Sequence, residues 1–355
     1  MKVIYYMPEF LKLQALKEKN NEVLQFCDLF KIVGQNTCLL DRTGKYLQVP
    51  FDSKILYPIP QTAVHNNATF EDLCVERAKQ ILRENKDIVV FYSGGLDSTV
   101  VMVSFDLAVM AGVGSYDQIT IAATPHSINE NPEFWSKYIL PNYKLTSIND
   151  ELNKVGNLSQ MANRYVMGEN ADQLFGSDMI LDNFTLFKQD INSDNIMTYI
   201  SNNNVADSSK EYILNIFEKM YDARVCDLDN MANLLWWFNL SCKWQSVALR
   251  TLCFTNFLDS ITTEEELKIF ETFFNTLEFQ SLSLYGNLRK WGTPETPYNY
   301  KLASRDFILK HTNLIDYVKN KVKLPSLYRV LATTEYKYIG LGEENGKLHR
   351  LQEIK

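Results

Sequence analysis

The stretch Ile88-Val89-Val90-Phe91-Tyr92 followed by Ser93-Gly94-Gly95-Leu96-Asp97-Ser98-Thr99 constrains the fold more than any other part of the chain. Its first five residues are β-branched or aromatic with no polar break, the pattern of a strand covered on both faces inside a parallel sheet. Thr99 to Ala111 is apolar almost all round and stops at Gly112, which predicts a helix packed against something large. Ile119-Thr120-Ile121-Ala122-Ala123 reads as a second strand, so 88–123 spells a βαβ unit. Tyr165-Val166-Met167 is a third strand, ended by Gly168. The expected class is α/β, a parallel sheet whose ligands bind where loops leave the carboxyl ends of strands. From Asn195 onward the pattern predicts mostly helix, including a capped start at Thr262-x-x-Glu265 ahead of Leu267, Ile269, Phe270 and Phe273.

Upstream, Glu9 to Phe30 predicts an amphipathic helix. Thr37 to Leu40 and Tyr46 to Val49 read as extended runs flanking a hairpin turn at Asp41-Arg42-Thr43-Gly44-Lys45. Tyr57-Pro58-Ile59-Pro60 breaks any regular element. Residues 1–66 are therefore expected to form a small α+β appendage and 67–355 the main unit, which opens with a helix from the Thr69-x-x-Asp72 cap to Glu84. A length of 355 residues admits this division.

Charge and cysteine usage exclude several functions. Lys and Arg number 36 against 43 Asp and Glu, a net charge of −7 that does not suit a surface wrapping a nucleic-acid backbone. The six cysteines form no C-x-x-C pair and the four histidines cluster with none of them, so no zinc site is expected. The thiols read as reduced, as in a cytoplasmic protein. No apolar run approaches the roughly 20 residues of a membrane span, and the N-terminus lacks a signal-peptide pattern, so no membrane partner is expected.

The loop after the first strand carries the chemistry. Gly94 and Gly95 let backbone N–H groups approach a ligand, and the helix starting near Ser98 aims its positive end at the same spot. Ser93 and Ser98 add hydroxyls. A lone carboxylate, Asp97, among anion-binding donors makes sense if the anion arrives with Mg²⁺. A bare strand–turn–helix joint with an Asp/Ser cap is the plain alternative, but the whole Ser-Gly-Gly-x-Asp-Ser pattern in this setting is more specific. No Gly-Lys-Ser/Thr follows, so it is not a Walker A loop. Gly112-Val113-Gly114 follows a helix and reads as a turn.

Ser93-Gly94-Gly95-Leu96-Asp97-Ser98 resembles the PP-loop of the ATP pyrophosphatases, and Gly168-Glu169-Asn170-Ala171-Asp172-Gln173-Leu174-Phe175-Gly176 resembles the Gly-Glu-Gly-Ala-Asp-Glu-Leu-Phe-Gly-Gly-Tyr segment of the asparagine synthetase synthetase domain. The resemblance implies a HUP-like (adenine nucleotide alpha hydrolase-like) fold and ATP with Mg²⁺ as cofactors. It implies that Ser93, Gly94, Gly95, Asp97 and Ser98 hold the nucleotide, and that Asp97 and Asp172 are the metal-associated carboxylates. It also implies that Glu169 faces an acyl-adenylate. Lys301-Leu302-Ala303-Ser304-Arg305 is similar to the family's Lys-x-x-Leu-Arg helix beside the site. Leu324-Pro325-Ser326-Leu327-Tyr328-Arg329 is similar to a segment after which the family carries an α-phosphate lysine, here Lys337.

The departures are informative. Position 2 is Lys where asparagine synthetases place a glutaminase cysteine, and 1–66 is too short for that domain, so ammonia or an amine is expected from a separate supplier. Asn170 stands for Gly, Gln173 for Glu, and Ser177-Asp178 for Gly-Tyr. The expected activity is adenylation of a small-molecule carboxylate, such as aspartate or another amino acid, and its transfer to ammonia or an amine with release of AMP and pyrophosphate. The alternatives are a PP-loop enzyme that adenylates a nucleobase or tRNA, and a non-catalytic nucleotide-binding relative.

Overall fold

The computed structural model describes residues 1–33, 38–64, 67–154, 161–176, 180, 184–254, 261–293, 300–321 and 339–352. Its centre is a five-stranded, wholly parallel sheet in the order β4-β3-β2-β5-β6. The strands are β2 (Ile88–Phe91), β3 (Ile119–Ala123), β4 (Lys144–Ser147), β5 (Arg164–Met167) and β6 (Phe270–Thr272). The chain winds outward from β2 through β3 to β4, then crosses back to β5 on the other side of β2. The order therefore reverses between β2 and β5, and in open α/β sheets that switch point opens a crevice at the carboxyl ends of the strands.

Two antiparallel pairings build a second sheet, β1-β7-β8, from β1 (Lys2–Tyr6), β7 (Gly340–Glu344) and β8 (Lys347–Leu351). The turn joining β7 to β8 is Asn345-Gly346 with φ of 52° and 80°, the two left-handed residues that a tight hairpin needs. The first and last described segments of the chain are thus hydrogen-bonded to one another. Tyr5, Tyr6, Phe26 and Phe30 belong to the same hydrophobic cluster as the parallel sheet.

The helices are α1 (Pro8–Glu18), α2 (Asn21–Val33), α3 (Phe70–Glu84), α4 (Leu96–Met110), α5 (Pro125–Glu130), α6 (Pro132–Phe134), α7 (Ile148–Lys154), α8 (Ala171–Phe175), α9 (Ser193–Asn202), α10 (Asp207–Asp222), α11 (Met231–Phe254), α12 (Leu277–Tyr285), α13 (Leu302–Thr312) and α14 (Ile315–Asn320). Thr69 caps α3 reciprocally: its hydroxyl accepts from Asp72 N–H while the Asp72 carboxylate accepts from Thr69 N–H. Phe70 then enters an aromatic cluster with Phe175, Phe274, Phe279 and Phe307. The long helix α11 buries Trp237, Phe238, Leu240 and Trp244. It grips the N-terminal segment through Gln245, which donates to Ile4 O and Lys54 O. Among the described residues no helix is long and apolar enough to cross a membrane.

The structure departs from the sequence expectations at four places. The single helix over 9–30 is two, because Lys19 adopts φ 55° and ends α1. The runs around Asp41 are not strands where they are described. The Asp41 carboxylate accepts from the N–H groups of Thr43, Lys45, Tyr46 and Leu47, folding the segment into a capped loop in place of a ladder. The segment after Thr262 makes only a short 3₁₀ turn before β6, since Phe270 to Thr272 find a better partner in the edge of β5. The helical C-terminal portion also ends in the β7–β8 hairpin.

Candidate active site

The two motifs leave adjacent strands on either side of the switch point. Ser93-Gly94-Gly95 follows β2, and Gly168-Glu169-Asn170 follows β5, the neighbour of β2. They meet at the level of the backbone. A Cβ placed on Gly168 would lie 3.0 Å from Ser98 N and 3.1 Å from Asp97 C, tighter than ordinary contact, so any larger residue would press the second loop away from the start of α4. Gly94 has φ 76°, and a Cβ there would fall 2.3 Å from Ser127 O.

The hydroxyls of the first loop are used within the loop. Ser93 N–H donates to Ser98 Oγ (3.2 Å), the two hydroxyls hydrogen-bond to each other (3.0 Å), and Gly95 N–H donates to Ser93 Oγ (3.3 Å). They brace the turn, while the first intrahelical bond of α4 is Thr99 N–H to Gly95 O. The N–H groups of Leu96, Asp97 and Ser98 therefore lie ahead of the helical ladder, where a helix receives an anion. Tyr317 of α14 donates its hydroxyl to Gly94 O (2.9 Å) and hydrogen-bonds to Thr99 Oγ1 (3.2 Å). Behind the loop, Lys321 and Glu130 form an ion pair with both side chains nearly covered.

Lys301 joins the two carboxylates. Its ammonium lies 2.7 and 2.6 Å from the two Asp97 oxygens and 2.7 Å from Asp172 Oδ1. Burial opposes its charge, but Asp172 and Asp97 prevail and hold it protonated, well above the ordinary lysine value. Arg305, one turn further along α13, donates to the carbonyls of Tyr300, Val318 and Lys321, which fastens α13 to α14.

The second loop explains one of its departures from the family pattern. Asn170 sits at φ 69°, a left-handed position that glycine takes freely and that asparagine tolerates best among other residues. Its amide donates to Trp244 O (2.9 Å). Gln173 is buried, so the amide at this position leaves no charge in the interior. Glu169 Oε2 lies 2.5 Å from Arg250 Nη2 on α11, and both side chains are partly open to solvent.

The structure brings together Ser93, Gly94, Gly95, Asp97, Ser98 and Asp172, with Glu169 one residue beyond the contact at Gly168. Lys337 and the Leu324–Arg329 segment lie outside the described residues. Sequence reasoning placed Lys301 only beside the site, and it missed Arg250, Tyr317 and the Lys321–Glu130 pair. The fifth position of the Lys301-x-x-x-Arg305 pattern was the one signal that pointed toward this helix. Neither family models nor curated proteins match this chain.

Among the described residues no group of three or more His, Cys, Asp or Glu side chains forms a metal cage. Two carboxylates at one crevice nevertheless suit Mg²⁺, which is commonly bound by one or two carboxylates together with substrate phosphates and water.

Proposed function

We propose that the chain is an ATP-dependent ligase of the PP-loop type that adenylates a carboxylate and passes the acyl group to an amine. One observation carries this reading: Asp97 and Asp172, from loops on opposite sides of the switch point, converge on a single cation. A plain strand–turn–helix joint gives no reason for a second carboxylate loop to abut the first through a glycine.

In this reading the first turn of α4 and the loop before it receive the β- and γ-phosphates. Asp97 and Asp172 would hold Mg²⁺, which would offset charge on the triphosphate as pyrophosphate leaves. The substrate carboxylate oxygen bonds to the α-phosphorus and the bond from that phosphorus to the bridging oxygen breaks, releasing pyrophosphate. The amine nitrogen then bonds to the acyl carbon, AMP departs with the former carboxylate oxygen, and one proton is lost from nitrogen. This reading assigns that proton to Glu169, whose carboxylate pairs with Arg250. With a net charge of −7, the protein relies on backbone N–H groups and a few placed cations such as Lys301 to hold the triphosphate.

The test is ATP–pyrophosphate exchange with Mg²⁺ against a panel of amino acids and other carboxylic acids. Exchange that depends on one acid, lost in Asp97→Asn and Asp172→Asn, supports the reading. Release of ADP and phosphate, or adenylation of a tRNA or nucleobase with no response to any acid, refutes it.

A further inference from the structure

Asp97 and Asp172 share one cation, and the chain itself supplies it. Lys301 donates hydrogen bonds to both Asp97 oxygens and pairs with Asp172 Oδ1 at 2.7 Å, so one ammonium is shared by both carboxylates. The side chain is 3% exposed, whereas the carboxylates it holds are 24% and 26% exposed. The carboxylates therefore reach solvent, while the lysine that pairs with them is covered.

The backbone is arranged for this pairing. Lys301 is the residue before α13 and adopts φ 57°, a left-handed conformation unusual for a long side chain, with its N–H bonded to Lys290 O at 2.7 Å. Arg305 anchors the helix that follows. Only the four-carbon stem of Lys301 needs to rotate for its charge to move, and a lysine is a compact charge on a flexible stem.

The same two carboxylates cannot hold this ammonium between them and a divalent cation at once, since the two cations would repel at short range in a partly desolvated site. We propose that Lys301 is a built-in counter-ion that competes with the divalent cation for Asp97 and Asp172. It keeps the two carboxylates together until metal and nucleotide arrive, then yields them and turns its ammonium to the triphosphate. This rests on the ligase reading for the identity of the incoming group. Lys301 offsets one of the two negative charges, so that two acidic segments can lie close together at Gly168 without a bound metal.

The probe is Mn²⁺ alone, its binding followed by the loss of the free-ion electron paramagnetic resonance signal. The chain carrying Lys301→Met should bind Mn²⁺ at least tenfold more tightly than the wild type. It should melt at a lower temperature than the wild type in chelator and regain most of that loss in Mn²⁺. Equal Mn²⁺ affinities, or a melting loss that Mn²⁺ leaves in place, overturn the proposal.

Where Lys301→Met fails to fold, the wild type supplies the same test through reductive methylation mapped by mass spectrometry. Lys301 should be protected in chelator and become reactive as Mn²⁺ binding saturates. Constant labelling across that titration, or no Mn²⁺ binding at all, overturns the proposal. Wild-type ATP–pyrophosphate exchange separates the two ideas: acid-dependent exchange with no Mn²⁺ competition sinks the counter-ion role alone. Competition without exchange or any AMP sinks the ligase reading alone.

Discussion

Gly94→Ala tests the packing of the first loop with a magnitude that follows from geometry. Two separate penalties act. The residue must hold φ 76°, where an L side chain costs about 1–2 kcal/mol. The new Cβ would also lie 2.3 Å from Ser127 O and 2.7 Å from Glu130 Cβ, where ordinary contact begins near 3.4 Å, so α5 must move by roughly 1 Å. Ser127 is fully buried and its oxygen belongs to the backbone, so no flexible side chain can relieve the overlap. Overpacking of this kind costs about 1–3 kcal/mol, for a total of about 2–5 kcal/mol. Gly112→Ala is the control. It has φ 80° and no heavy atom within 4 Å of the new Cβ, so it carries the first penalty alone. The effect of Gly-to-Ala on the unfolded chain cancels between the two. Urea unfolding followed by tryptophan fluorescence should therefore place Gly94→Ala about 1–3 kcal/mol below Gly112→Ala. A difference under about 0.5 kcal/mol would refute the contact between the loop and α5.

Three further outcomes follow from the site and its surroundings. Glu169→Gln should leave ATP–pyrophosphate exchange within about threefold of wild type and lower amide formation by about 10²-fold or more, the range of a lost proton acceptor; an equal loss in both steps refutes its assignment to the amine. Burial pushes Lys290 down to about 8, with its ammonium over the Trp236 ring, so between about 8 and 10.5 the unfolded chain binds a proton that the folded chain does not. That group makes stability rise with pH across this window and adds no slope below it. Lys290→Met should remove the rise, and urea midpoints of wild type and variant that shift in parallel from pH 7.5 to pH 10 would contradict it. Phe70→Ala empties the centre of the five-ring cluster and should cost about 3–5 kcal/mol in the same urea assay; a loss below about 1 kcal/mol would show that the cluster is not packed as described.

The parts of the fold that sequence makes legible are those where burial is written into a local pattern. β2 is wholly apolar and β3 broken only by Thr120 because neighbours cover both faces, and α4 is largely buried from Leu96 to Phe105 for the same reason. Thr69 and Asp72 announce the start of α3 because a cap is satisfied within four residues. β4 escaped notice because it is an edge strand: Lys144, Leu145 and Ser147 are exposed, so no alternation or apolar run marks it. β6 is three residues long and acquires its strand conformation only by pairing with β5. The Asn345-Gly346 dipeptide is itself a hairpin signal, which the expectation of mostly helix from Asn195 onward left unused.

The amino-acid sequence by itself determined a parallel α/β core and two glycine-bearing loops, each with one aspartate, because those features depend on residues near one another along the chain. Only the tertiary structure decided that the loops flank one crevice, since the order β3-β2-β5 depends on a crossover between distant segments. It alone joined Asp97 to Lys301, 204 residues apart, and set Arg250 against Glu169, 81 residues apart. A charged side chain carries no periodicity that reveals its partner. Opposite charges meet there because burying either alone costs more than the fold can spare.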